Sequence, residues 1–436
     1  MSQTLILWIV GAWFVIFLAL GQSVSTVLFG SGLVGVTLWI GSRVFDGIIG
    51  PDIFYTASIY SLSIVPLYLL MANLLVRGGV VIDLFRVGHK LAGYRRFPLG
   101  IATIITGGLL GAVSGSGSAS AAALATLAAP ELERVGYTRR FSVGLAAIAG
   151  SLSAVIPPSL IVIIYGSLTM VPIGHLFIGL LGPGVLCILV YIACLRIFGE
   201  VRPGVADGVR GDEEEDPAMM RRSMHAAIFI FALMFVVFGG IYGGVITVGE
   251  AGAIGAFAAM AGMIAMRRVS VKDIFAALGD SVKITAMLMM IVIGAQIFAR
   301  FLAFSRLPTE LVKLMEPLLD SPEILIAMMM ALFFVAGMIL ESAAVIVLVV
   351  PIVLPLLKAA NIDLLWFGVM ASFMIALGLL TPPVGLSAYA ASTAARFPVG
   401  EVFKPASIFA AVAGVVVTAA MILFPGIVTW LPSHIN

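Results

Sequence analysis

The chain has 436 residues, of which 61% are hydrophobic and only 11% charged, with a formal net charge of +2. Ordinary soluble domains carry roughly 25% charged residues, so this charge cannot cover the roughly three soluble domains that the length would otherwise suggest. A soluble enzyme is therefore excluded, and no nucleic-acid partner is expected.

Long apolar runs occupy residues 3–20, 24–41, 55–76, 173–198, 226–246, 247–266, 284–305, 324–357, 364–395 and 406–431. Each approaches or exceeds the ~20 residues that cross a bilayer as helix. Backbone hydrogen bonding in lipid permits only helices or closed barrels, and these runs lack the alternation of barrel strands. The expected class is an all-α polytopic protein of the lipid bilayer. The first run has no basic segment before it and continues with little break through Ile40, so it reads as mature membrane helix and not as a cleavable signal peptide.

The first unusual segment spans residues 97–130, apolar throughout yet soft in the middle, where residues 111–120 read Gly-Ala-Val-Ser-Gly-Ser-Gly-Ser-Ala-Ser. A single span needs no such centre. A re-entrant hairpin does, because exposed backbone at membrane depth is tolerated only where it lines protein or a wet cavity. A tight packing face of small residues is the plain alternative. Next comes a helix expected over about 139–168, interrupted by Pro157-Pro158. Two prolines remove two amide donors and disfavour helical geometry before them. The freed carbonyls suit a hard cation, and nearby half-helix N-termini suit an anionic solute.

Cys187 and Cys194 sit inside one apolar run and read as packing residues. Residues 199–225 form the one long polar stretch, with Glu213-Glu214-Glu215-Asp216 and then Arg221-Arg222, and read as a solvated linker. A second hairpin is expected over about 322–358, with Glu341 as the one acidic residue deep in its apolar run; a carboxylate there is a functional candidate by default. A second broken helix follows over about 362–395, interrupted by Pro382-Pro383.

These features repeat. The proline pairs are 225 residues apart, as are Pro130 and Pro355, and Arg43-Val44 and Arg268-Val269. The chain thus divides into a first repeat (1–198), the linker (199–225) and a second repeat (226–436). Arg95, Arg96, Arg134, Arg139 and Arg140 flank the first hairpin, whereas the second is flanked by Lys358, Asp320, Glu323 and Asp363. By the positive-inside rule the two units face opposite ways, as inverted repeats. Enzyme motifs are missing: the four histidines show no metal-ligand spacing, and neither a Gly-x-Ser-x-Gly elbow nor a phosphate loop occurs.

Taken together, Gly111-Ala-Val-Ser-Gly-Ser116, Pro130-Glu-Leu-Glu-Arg-Val-Gly-Tyr137, Ile156-Pro-Pro-Ser159 with Tyr165-Gly166, Pro351-Ile-Val-Leu-Pro355 and Leu380-Thr-Pro-Pro-Val-Gly385 resemble the large membrane subunit of tripartite ATP-independent periplasmic (TRAP) transporters, the DctM-like permeases. The resemblance covers nearly the whole chain from Arg43 onward. It implies an elevator-type, sodium-coupled importer of organic acids in the bacterial inner membrane. It also implies a separate small membrane subunit of about four helices and a periplasmic substrate-binding protein. By that resemblance, sodium ions sit at Gly111, Ser114, Ser153, Ile156 and Pro158, and at Gly337, Gly378, Thr381 and Val384, mostly on backbone carbonyls. In the repeat register Ser153 matches Gly378 and Ile156 matches Thr381, in agreement with those two sets. Substrate is expected between Ser116, Ser159 and the second tip near Glu341. Two departures stand out: Asn361-Ile-Asp-Leu364 where the family shows Gly-x-Asp-Pro, and an apolar Phe373-Met-Ile-Ala-Leu377 where many members carry Asn. A stand-alone ion-coupled dicarboxylate or citrate carrier is the alternative reading.

Overall fold

The computed structural model describes residues 2–41, 47, 49–93, 95–203, 216–319 and 321–434, and only the backbone of residues 112–114, 318 and 319. Among these residues every regular element is helical, apart from a lone antiparallel bridge between Tyr137 and Val201. Eight helices are long and apolar enough to cross a membrane, so the protein is all-α and polytopic. Arg43-Val44, Asp320 and Glu213–Glu215 lie outside the described residues.

Both expected hairpins form. The first pairs Arg96–Ser114 with Gly117–Arg134, and the second pairs Pro322–Ile339 with Ser342–Ala359. The first runs a turn beyond residue 130 because Pro130 is accommodated inside its second helix. Both broken helices form too. Arg139–Ser151 tightens into a 3-10 turn, Leu152–Ala154, and resumes as Leu160–Thr169. Leu364–Gly378 breaks and resumes as Leu386–Ala395. The Pro157-Pro158 and Pro382-Pro383 bonds are cis.

Two boundaries differ from the sequence expectation. The polar stretch does not persist to residue 225: a helix starts at Pro217, where Asp216 accepts the Ala218 amide at 2.9 Å, and runs to Tyr242. Proline at the first helical position is preorganised for that start. Likewise the apolar run 284–305 is the inner part of one helix, Val271–Ser305, launched by a capping box between Ser270 and Asp273. Lys272, Asp280 and Lys283 interrupt the hydropathy but not the helix. The Asn361 departure has a backbone reason, since Asn361 stands at φ 52°, a left-handed conformation that Asn tolerates after Gly. Asp363 then caps the next helix through the Leu365 and Trp366 amides at 2.7 and 2.9 Å.

The two broken helices run antiparallel. Tyr165, near the end of the first, donates its hydroxyl to the Leu364 carbonyl at the start of the second (2.7 Å), while Arg139, at the start of the first, donates to the Ala395 carbonyl at the end of the second (3.1 Å). The repeats also exchange partners. Leu386–Ala395 packs on the first hairpin's Gly117–Arg134, and the second hairpin's Ser342–Ala359 packs on Leu160–Thr169. Elsewhere Val24–Ile40 lies along Val271–Ser305 at very short range: a Cβ at Gly32 would stand 2.6 Å from the Phe298 amide nitrogen. Such close helix contact in lipid relies on small residues, as apolar tails offer no hydrophobic drive between helices.

Candidate functional site

At the first tip, helix Arg96–Ser114 ends on Gly115, whose φ of 62° suits glycine, with its amide on the Gly111 carbonyl at 2.9 Å. Ser116 then caps the return helix, accepting from the Ala119 amide at 3.5 Å. Gly111 presses directly on the first break: a Cβ there would lie 2.2 Å from Ser153 Cα. Only glycine permits that approach. Within the break, the Leu152 carbonyl accepts from Val155 and Ile156 at 3.0 and 2.9 Å, and the Ser159 hydroxyl bridges back to the Ala154 carbonyl at 2.9 Å. The hydroxyl of Ser153 is fully buried and has no hydrogen-bond partner.

The second tip turns through extended Leu340 to Glu341, whose carboxylate caps helix Ser342–Ala359 by accepting the Ala343 amide at 2.9 Å. Gly337 and Gly378 meet backbone to backbone; a Cβ on Gly378 would stand 2.7 Å from the Gly337 carbonyl carbon. The Thr381 hydroxyl donates to the Leu377 carbonyl at 2.9 Å. Past the prolines, the Val384 and Gly385 amides both donate to the Met338 carbonyl, at 3.2 and 3.0 Å, tying the break to the tip.

Both expected glycine-lined sets are thus brought together, Gly111 with Ser153 and Gly337 with Gly378, while Val384 is joined to the second tip. Ile156 and Pro158 stand in the first break; a Cβ on Gly115 would lie 3.8 Å from the Pro158 carbonyl oxygen. The Ser114 side chain lies outside the described atoms. Ser116 is half-buried and Glu341 exposed, whereas Ser159 is buried and turned into its own break. Sequence reading missed Met338, which acts through its carbonyl and so leaves no side-chain signal. It also missed Gly385, although its φ of 57° and a virtual Cβ 2.5 Å from Phe403 Cε1 make glycine mandatory there. Among the described residues no cluster of three His, Cys, Asp or Glu is placed to hold a metal; the available ligands are carbonyls and hydroxyls.

Two antiparallel units, each a membrane hairpin seated on a proline-broken helix, define an inverted-repeat membrane transporter. The family model described as "Tripartite ATP-independent periplasmic transporter, DctM component" matches residues 11–427, and the chain belongs to that family. It is 30% identical over 362 residues to the C4-dicarboxylate TRAP transporter large permease protein DctM of Pseudomonas aeruginosa, covering 81% of this chain and 82% of that one. The 2,3-diketo-L-gulonate TRAP transporter large permease protein YiaN of Escherichia coli is 28% identical (84% and 85% covered), and the ectoine large permease protein TeaC of Halomonas elongata 29% (85% and 86%). Among solved structures, the YdaH transporter of Alcanivorax borkumensis shares the fold, with a TM-score of 0.66 at 13% identity and 95% and 98% of the two chains covered. The chain is accordingly a multi-pass inner-membrane protein, the large permease subunit of a TRAP transporter.

Proposed function

We propose that this permease imports its solute by sodium symport, receives it from a periplasmic binding protein, and works with a small four-helix membrane subunit. One observation carries the sodium reading: each hairpin meets its broken helix backbone to backbone, at Gly111 on Ser153 and at Gly337 on Gly378. Side chains are excluded there, which leaves backbone carbonyls and hydroxyls as the ligands on offer, and hard cations favour oxygen ligands. Gly111, Ser114, Ser153, Ile156 and Pro158 would hold one ion, and Gly337, Gly378, Thr381 and Val384 the other. The tips and breaks also place helix N-termini at Gly117, Leu160 and Leu386, whose partial positive charge favours a carboxylate solute, while the one at Ser342 is capped by Glu341. Ser116 and Glu341 would face it at the tips, and Ser159 would shape the first break behind it. In an elevator cycle each hairpin and its broken helix move as one body.

The relatives carry differently named solutes at nearly equal identity, which supports placing solute choice in the binding protein. Uptake into proteoliposomes tests the reading, using this chain with its small subunit and adding or withholding the sodium gradient and the binding protein. Uptake requiring both is the expected result. Uptake driven by sodium without the binding protein would instead make the chain a stand-alone carrier.

A further inference from the structure

Two fully buried hydroxyls without hydrogen-bond partners, those of Ser153 and Ser387, flank a single glycine. A Cβ on Gly117 would stand 3.2 Å from Ser387 Oγ and 3.5 Å from Ser153 Oγ. Ser153 belongs to the 3-10 turn of the first broken helix, Ser387 to the resumed half of the second, and Gly117 to the first hairpin just past its tip. Three elements from both repeats therefore meet at one point, where glycine keeps a side chain out.

Buried hydroxyls are almost always hydrogen-bonded, and an unsatisfied one is costly, so two facing one point indicate a group that both serve. Three of the amides around them are already engaged. Ser387 and Ala388 both donate to the Leu379 carbonyl, at 3.0 and 3.5 Å, and Ala119 donates to Ser116 Oγ at 3.5 Å. Those three are not available to an anion. What remains on offer is a pair of neutral oxygens beside the carbonyl-rich first break, a donor set suited to a hard monovalent cation.

We propose that Ser387 is a ligand, contributed by the second repeat, of the cation site built by the first repeat around Ser153. This rests on the sodium reading above and adds a consequence. The site is complete only while Leu386–Ala395 stays docked on the first hairpin, so ion occupancy holds the two moving units together. The shared ion gives the two repeats a reason to travel as one body.

The test is sodium titration of the purified permease with its small subunit in nanodiscs, followed by thermal stabilisation and by radioactive sodium binding. Ser387→Ala is expected to raise the half-saturating sodium concentration about tenfold. Gly117→Ala, which removes no oxygen but sets a methyl against both hydroxyls, is expected to raise it as well. Ser142→Ala, which deletes a buried unpartnered hydroxyl outside the pair, is expected to leave the titration unchanged. If Ser387→Ala does not fold, Gly117→Ala and the oxygen-retaining Ser387→Thr carry the comparison, with Thr expected to keep sodium binding. Wild-type-like titration in both Ser387→Ala and Gly117→Ala overturns the proposal and assigns the pair to a bound water. A wild-type protein that does not respond to sodium at all overturns the sodium reading itself.

Discussion

Gly111 shows how a single missing side chain can hold a site together. Its virtual Cβ would be 2.2 Å from Ser153 Cα, a separation that no rotamer change relieves because the obstacle is backbone. Gly111→Ala must push the hairpin off the break, and overpacking of this kind costs about 1–3 kcal/mol. Its thermal midpoint should fall by several degrees and sodium-driven uptake should be lost. Gly400→Ala, at a helical glycine with nothing within 4 Å of its virtual Cβ, should match wild type in both assays. Thr381→Ala should behave differently. Its hydroxyl bonds only to the Leu377 carbonyl, one turn back at the end of the preceding helix, so stability should change little. Loss of an ion ligand should raise the sodium concentration for half-maximal uptake about tenfold, ~1.4 kcal/mol; unchanged sodium activation would remove Thr381 from the site. The proline pairs were legible in the sequence because each enforces a local backbone state, whereas Gly111 and Thr381 entered as ion ligands through the family resemblance. Ser387 was not, since its partner in space, Ser153, is far away in the chain, and no periodicity marks a contact between repeats.

Among the elements, helix Val80–Ala92 bears on stability through one side chain. Asp83 is buried and accepts from Ser223 Oγ at 2.6 Å, from Arg268 at 2.7 Å and from Arg86 at 3.4 Å. It thereby ties the helix leading into the first hairpin to helix Pro217–Tyr242 and to the turn before Val271–Ser305. Breaking one partner of a buried ion pair costs about 3–5 kcal/mol, because the other charge is left uncompensated. Asp83→Ala should therefore lower the thermal midpoint markedly, and adding Arg268→Ala should recover part of the loss. Strict additivity of the two changes would show that the pair is not coupled. Composition alone hid this cluster. Residues 199–225 read as linker because Arg221 and Arg222 are charged, but both are exposed on a helix whose other face buries Ser223. Hydropathy averages over the faces of a helix and so placed the boundary too late.

Across the whole molecule, the inverted repeat is written in charge as well as in fold. Asp280 pairs with Arg77 of the first repeat, and Arg300 with Asp52 at 2.6 Å. Asp280 and Arg300 lie 20 residues apart on one continuous helix, about 30 Å along its axis, which is the thickness of the hydrocarbon core. Each repeat thus supplies an arginine to one membrane surface and an aspartate to the other. Helices Val248–Ala265 and Val271–Ser305 both pack on Ile64–Arg77 as a frame, against which the proposed elevator would slide. A cavity of about 480 Å³ lies between this frame and the segment 170–175 that continues from the first broken helix, lined by Tyr60, Ile64, Met170, Pro172, Val248 and Glu250 among others. Beside it, a Cβ on Gly174 would lie 3.4 Å from Val248 Cγ2, within reach of a disulfide between cysteines at those positions. Oxidising the Gly174→Cys/Val248→Cys double variant, in a background where Cys187 and Cys194 are replaced, should stop uptake, and reduction should restore it. Sodium binding should survive oxidation, because the lock holds the unit against the frame without touching either hairpin tip. Uptake that continues in fully cross-linked protein would mean that the solute crosses without displacement of this unit, and the elevator would have to be abandoned for a gate confined to the tips.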